Sequence, residues 1–310
     1  MQGLELAEKF YDTYGRPMIR SLFPLYEGRI AAGLAGPGSE CFGFDDAISR
    51  DHDFAPGFCL WITPEDDEKI GFALMDAYRR LPDTFCGISL QKKGRGGAGK
   101  YGVQTIEEFF RMRVGLPGPP ENWRQWLSLP EYALSTVVNG KIFRDDLGIF
   151  TSIRSIYEQG FPEDVRLKKM AARLALMAQS GQYNYRRCLQ HGEEGAARLA
   201  LYEFVNHAFY LIFAINHRYT PFYKWRFRAM DGLPEMRSLK PLLMALLEEA
   251  TLEEKARIID QTCREVVYTL HRLHLSSSDD CYLEQQALAV TAHIMNPEIR
   301  RLHLMEYGES

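Results

Sequence analysis

The strands that can be read in this 310-residue chain end near Phe150, and helical patterning takes over from about 151. No other feature constrains the fold as much. It predicts an α+β domain over residues 1–150 followed by an all-α helical bundle over 151–310, and the length agrees with two domains of roughly 100–200 residues each. The run Phe58-Cys-Leu-Trp-Ile62 reads as a strand feeding a helix that starts at Thr63-Pro64-Glu65-Asp66, with Thr63 as N-cap. Residues 4–34 show helical periodicity broken at Arg16-Pro17 and lead into a Gly-rich stretch at 33–39. Residues 87–130 read as an insertion containing the capping box Thr105–Glu108, and Ala133–Val138, Asn139-Gly140, Lys141–Arg144 reads as a hairpin on a type I′ turn. Helices are then expected at 162–180 (stopped by Gly181), 193–218, 241–249, 252–274 (capped by Thr251 with Glu254), 280–295 and 297–307 (capped by Asn296). On the second of these, Leu199, Tyr202, Val205, Phe209 and Ile212 recur at helical spacing and are expected in the core.

Composition narrows the function. Thirty-seven Lys plus Arg against 41 Asp plus Glu give a net charge of -4, which lacks the footprint of a nucleic-acid binder. At 46% hydrophobic and 25% charged the chain buries a core. Six cysteines without a CxxC pair suggest neither a zinc ribbon nor a disulfide framework and fit a reducing cytoplasm. The N-terminal MQGLELAEKFYDTYG has no secretory pattern, and the most apolar segment, 204–216, falls short of the roughly 18–20 residues of a membrane span. A cytoplasmic protein without a membrane partner is expected.

The sharpest chemical feature is Gly38-Ser39, then eleven residues, then Asp51-His52-Asp53. Residues two apart on a strand share a face, so the Asp51 and Asp53 carboxylates would converge, and paired carboxylates suit magnesium. The Gly-Ser turn can offer N–H groups and a hydroxyl to phosphates. Asp45 and Asp46 lie between the two motifs and read as loop solvation. Arg218–Arg228 interleaves cations with aromatics, and Lys224 is the expected phosphate ligand there, with Tyr185 and Arg186 in a similar role after Gly181. Gly94–Lys100 matches half of a P-loop but lacks the following Ser/Thr and reads as a solvated loop or lid. His271 and His274 share a helix face without an evident third ligand and read as surface histidines.

The pattern G-S, then D-x-D, resembles that of the nucleotidyltransferase superfamily, which includes DNA polymerase beta and kanamycin nucleotidyltransferase. Longer stretches, GSECFGFDDAISRDHDF, GQYNYRR at 181–187 and PFYKW at 221–225, resemble the bacterial domain of unknown function 4037 family. The resemblance implies a nucleotidyltransferase fold, a small mixed sheet flanked by helices, followed by a helical domain that binds substrate or nucleotide, with the active site between the two. It implies two magnesium ions, or manganese in their place, on Asp51, Asp53 and a third carboxylate, for which Asp145 is chosen ahead of Asp146 and Glu131. Gly38 and Ser39 would contact the phosphates of a nucleoside triphosphate such as ATP. A hydroxyl of a small molecule or protein would then take the nucleoside monophosphate and pyrophosphate would leave. Pro56-Gly57 departs from the superfamily, whose strand usually continues there. Two rivals stand beside this reading: a non-catalytic, antitoxin-like module that binds nucleotide or a partner, and a metal-dependent phosphohydrolase.

Overall fold

A strand without polar alternation needs cover on both faces. The computed structural model describes residues 1–46, 55–89, 101–248 and 250–308. Its strands are β1 (Ala31–Leu34), β2 (Cys59–Ile62), β3 (Thr84–Phe85), β4 (Ile88–Ser89), β5 (Gly102–Thr105) and β6 (Lys141–Arg144). Among the described residues, β5-β2-β1-β6 form a mixed sheet and β3-β4 a separate pair. β1 is antiparallel to β2, with Gly33 opposite Cys59, and to β6, with Leu34 opposite Lys141; β5 is parallel to β2. All of β1 and β2 is buried. On one face Ala32, Leu60 and Ile62 join Phe10, Tyr11 and Ile19 of the N-terminal helices and Leu74 of the helix after β2. On the other, Trp61 stacks on Phe150 at 4.1 Å and meets Phe109 edge-on at 5.4 Å. Gly33 permits this packing, since a Cβ there would lie 2.9 Å from the Trp61 ring and 2.6 Å from the Lys141 carbonyl.

The expected α+β class is therefore observed, a small mixed sheet between helices and a helical C-terminal region. Both strand-to-helix joints are capped as the sequence suggests: Thr63 accepts from the Asp66 N–H, and Thr105 and Glu108 complete their box. Three expectations for this part need correction. The N-terminal helix does not break at Pro17; Gly3–Phe10 runs through a π-turn, Tyr11–Gly15, into Arg16–Leu22, and Pro17 follows directly on that turn, where the regular i→i−4 ladder is already replaced. Residues 87–130 are not simply an insertion, because β5 lies in the sheet. Ala133–Val137 lies in the helix Glu131–Val137 instead of a strand, so Asn139-Gly140 joins a helix to β6. Burial of Ala133, Leu134 and Val137 outweighs the β-propensity of that stretch.

The chain divides into two units, Met1–Pro120 with Ala133–Gln159, and Glu121–Tyr132 with Gly160–Ser310. In the second, Glu163–Met177 and Glu194–Ile215 pack against each other, and Leu252–Arg272 carries the predicted capping box of Thr251 and Glu254. Gly181 does not stop its helix. It lies in a π-turn, Ala178–Asn184, that passes into Tyr185–Gln190, and its bare Cα lets the Phe204 ring approach where a Cβ would be 2.3 Å away. Val205, Phe209 and Ile212 are buried as expected, whereas Leu199 and Tyr202 are 68% and 57% exposed. Ala197, Leu201 and Phe204 are the buried residues of that stretch, so Leu199 and Tyr202 lie on its uncovered face. Asn296 caps a helix as expected, but that helix ends at Arg300. Among the described residues no helix is long and apolar enough to cross a membrane.

Candidate functional site

β1 ends at Leu34 and the chain turns through Gly36, at φ +127°, and Gly38, at φ +152°, backbone that L side chains rarely adopt. The turn is braced from 100 residues away. Asn139 accepts from the Gly36 N–H at 2.9 Å and donates its amide to the Gly36 carbonyl at 2.8 Å, while the Gly140 N–H donates to the Cys41 carbonyl at 2.7 Å. Gly140 has φ +73° and no room for a side chain, because a Cβ would fall 2.0 Å from the Leu34 carbonyl. Beyond it the Ser39 carbonyl accepts from Phe42 and Phe44, at 3.2 and 2.8 Å, winding the short 3-10 turn Glu40–Phe42. These bonds fasten the chain on both sides of Gly38.

Two charged side chains close on this turn. The buried Glu40 folds back so that its carboxylate fills the space a Gly38 Cβ would take, and the Arg113 guanidinium does the same at Gly36. Arg113 comes from the last turn of the helix Ile106–Val114. Burial pushes its pKa down, partly offset by Cys59 and Cys41, and its Nε has no hydrogen-bond partner among the described residues. Sequence reasoning missed both Arg113 and Asn139. A signal existed for the first: Ile106, Phe109, Phe110 and Val114 form the buried stripe, and Arg113, four residues after Phe109, lies on that same stripe. Nearby, Tyr101 packs its ring on Gly57, and burial, then the charge of Glu40, push its phenol pKa up. β2 begins only after Pro56-Gly57, in keeping with the departure noted there.

Asp51 and Asp53 lie outside the described residues, as does the Gly94–Lys100 loop. Asp45 accepts from the Gly3 N–H at 2.8 Å, at the start of the first helix. Asp145 is not brought to the Gly38-Ser39 turn. β6 is antiparallel to β1, with Lys141 beside Leu34 and Arg144 beside Ala32, so Asp145 follows at the opposite end of β1. Its carboxylate accepts from the Thr151 N–H at 2.8 Å in the first turn of the helix Ile149–Glu158. Asp146 is paired with Arg144, whose hydrogen bond holds its carboxyl below the ordinary range. Glu131 is buried in the second unit, accepting from the Thr220 N–H at 3.0 Å and hydroxyl at 2.7 Å.

In the second unit Lys224 is exposed, its ammonium 4.9 Å from the Trp225 ring. Tyr185 is buried and donates to the Leu252 carbonyl at 3.1 Å, and Arg186 Nη2 donates to both carboxylate oxygens of Asp260, at 2.6 and 2.7 Å. These two side chains tie their helix to Leu252–Arg272. His271 lies 2.6 Å from the Ser278 carbonyl. Among the described residues no group of three or more His, Cys, Asp or Glu is arranged to hold a metal ion.

No curated protein matches the chain. The crystal structure of a nucleotidyltransferase-like protein from Exiguobacterium sibiricum 255-15 aligns with 83% of this chain and 75% of that one, at 12% identity and a TM-score of 0.38. Residues 126–226 match the model of the family described as a domain of unknown function, DUF4037, and the GQYNYRR and PFYKW stretches lie within that match, so over this third of its length the chain resembles the DUF4037 family, as those motifs led us to expect.

Proposed function

We propose that this chain is a magnesium-dependent nucleotidyltransferase that moves a nucleoside monophosphate from a nucleoside triphosphate to a hydroxyl of a small molecule or protein. The observation that carries the reading is the braced Gly36–Ser39 turn with Arg113 against it. The turn follows β1 at Leu34, and β2 starts at Cys59 opposite Gly33, so the turn and the start of β2 share one end of the sheet. The Gly38 and Ser39 N–H groups and the Ser39 hydroxyl would contact phosphate oxygens, and Arg113 would offset their charge. Asp51 and Asp53 supply hard carboxylate oxygens, a donor set that fits magnesium. When bound, the metal would stabilise charge on the attacking and leaving oxygens. The acceptor hydroxyl loses its proton to solvent, its oxygen bonds to the α-phosphorus, the bond from that phosphorus to the oxygen bridging the β-phosphate breaks, and pyrophosphate departs.

The test is pyrophosphate release and product mass from each nucleoside triphosphate, with magnesium and a metabolite extract. We expect an adducted acceptor, abolished by Asp51→Ala/Asp53→Ala and reduced at least tenfold in kcat/KM by Arg113→Gln. Free nucleoside monophosphate without any acceptor would identify a phosphohydrolase instead. A second reading, a non-catalytic nucleotide- or partner-binding module, is favoured by one observation, the position of Asp145 away from the Gly38-Ser39 turn. Nucleotide binding by calorimetry with no turnover in any extract would select it.

A further inference from the structure

The helix Leu252–Arg272 carries Glu265, Tyr268, Thr269 and Arg272 at the i, i+3, i+4 and i+7 spacing of a single face. These four residues and the segment 234–239 line one cavity of about 210 Å³. A benzene ring fits an engineered cavity of roughly 150 Å³, so this one has room for a small molecule. The wall opposite the helix is fixed in place. Asn216 accepts from the Glu235 N–H at 2.9 Å and donates its amide to the Glu235 carbonyl at 3.1 Å. The buried Met236 follows at φ +60°, backbone that residues other than glycine seldom take, and leads into the 3-10 turn Arg237–Leu239. Met236 and Leu239, 6% and 1% exposed, give the lining its apolar part.

The polar part offers acceptors. Arg272 is paired with Glu235, so its charge is answered within the lining. Glu265, which is exposed, forms no ion pair within 4 Å among the described residues. The Thr269 hydroxyl donates its proton to the Glu265 carbonyl at 2.9 Å, which leaves it lone pairs alone to present. Tyr268 is 64% exposed and adds an aromatic face. The lining thus sets two carboxylates, Glu235 and Glu265, against one guanidinium, Arg272, and keeps an excess of negative charge next to an aromatic ring.

We propose that this cavity binds a small organic cation, a primary ammonium on a short apolar body. The ammonium has three donors and no acceptor, which matches the Glu265 carboxylate and the Thr269 hydroxyl, and the Tyr268 ring would add a cation–π contact. The apolar body would lie against Met236 and Leu239. An anion is disfavoured, because it would have to take Arg272 from Glu235 and leave both carboxylates of the lining unanswered. Every lining residue belongs to the second unit, and the site does not depend on the transferase reading.

Titration of the full chain with n-butylammonium chloride at an ionic strength held constant with sodium chloride, followed by calorimetry and by Tm, tests it. The expected result is saturable binding that raises Tm with ligand concentration, weaker binding of 1-butanol and none of sodium butyrate. Glu265→Gln should weaken butylammonium binding about fivefold and Tyr268→Leu about twofold, whereas Glu107→Gln, on the first unit, should leave it unchanged. Glu265 and Tyr268 are both exposed, so their variants should keep the fold, which circular dichroism checks. Tighter binding of Nα-acetyl-lysine amide than of butylammonium would make the source a peptide lysine, and weaker binding would make it a free amine. Absence of saturable binding, preference for butyrate, or unchanged affinity in Glu265→Gln overturns the site.

Discussion

At the scale of single residues, the Gly36–Ser39 turn depends on two neighbours that contribute no chemistry of their own. Gly140→Ala sets a Cβ against the Leu34 carbonyl at a positive φ, and should lower stability by about 3 kcal/mol or more in urea unfolding. Asn139→Ala leaves both Gly36 backbone groups without their partner and should cost about 1–3 kcal/mol, with nucleotide binding weakened as the turn loosens. Asp145 gives the opposite pattern. Its carboxylate serves the helix Ile149–Glu158, so Asp145→Ala should cost about 1 kcal/mol while nucleotidyl transfer stays near the wild-type rate. A collapse of activity at unchanged stability would return Asp145 to the catalytic set.

At the scale of elements, the helix Glu163–Met177 carries a measurable pH signature. Burial pushes the Lys169 ammonium down to about 8 from 10.5; Glu131 opposes the shift and Arg173 adds to it. Between those pH values the unfolded chain keeps a proton that the folded chain has released. Stability at this site therefore rises with pH from about 8 towards 10.5, and the penalty is full below 8. Lys169→Met should melt above the wild type at pH 7, and the gap should narrow by pH 10 when Tm is followed across the range. A gap independent of pH would mean that the ammonium is solvated. The π-turn at Ala178–Asn184 makes a separate prediction: Gly181→Ala drives a methyl into the Phe204 ring and should destabilise by about 1–3 kcal/mol.

At the scale of the whole molecule, the second unit is discontinuous in sequence. Glu121–Tyr132 belongs to it, and Glu131 within that segment binds Thr220 and faces Lys169 electrostatically. A fragment spanning 160–310 should therefore unfold at lower denaturant, and less cooperatively, than one spanning 121–310, because it leaves Thr220 and Lys169 without their carboxylate. The same distinction between near and far partners separates what the sequence by itself determined from what tertiary structure decided. The caps at Thr63, Thr105, Thr251 and Asn296 were legible because each is made with atoms two or three residues away. The apolar run at Phe58–Ile62 announced a buried strand for the same local reason. Helix instead of strand at Ala133–Val137, the grip of Asn139 on Gly36, the approach of Arg113 and the removal of Asp145 to the far end of β1 were not legible. Each depends on the register and packing of segments that lie tens of residues or more apart, and no local preference encodes it.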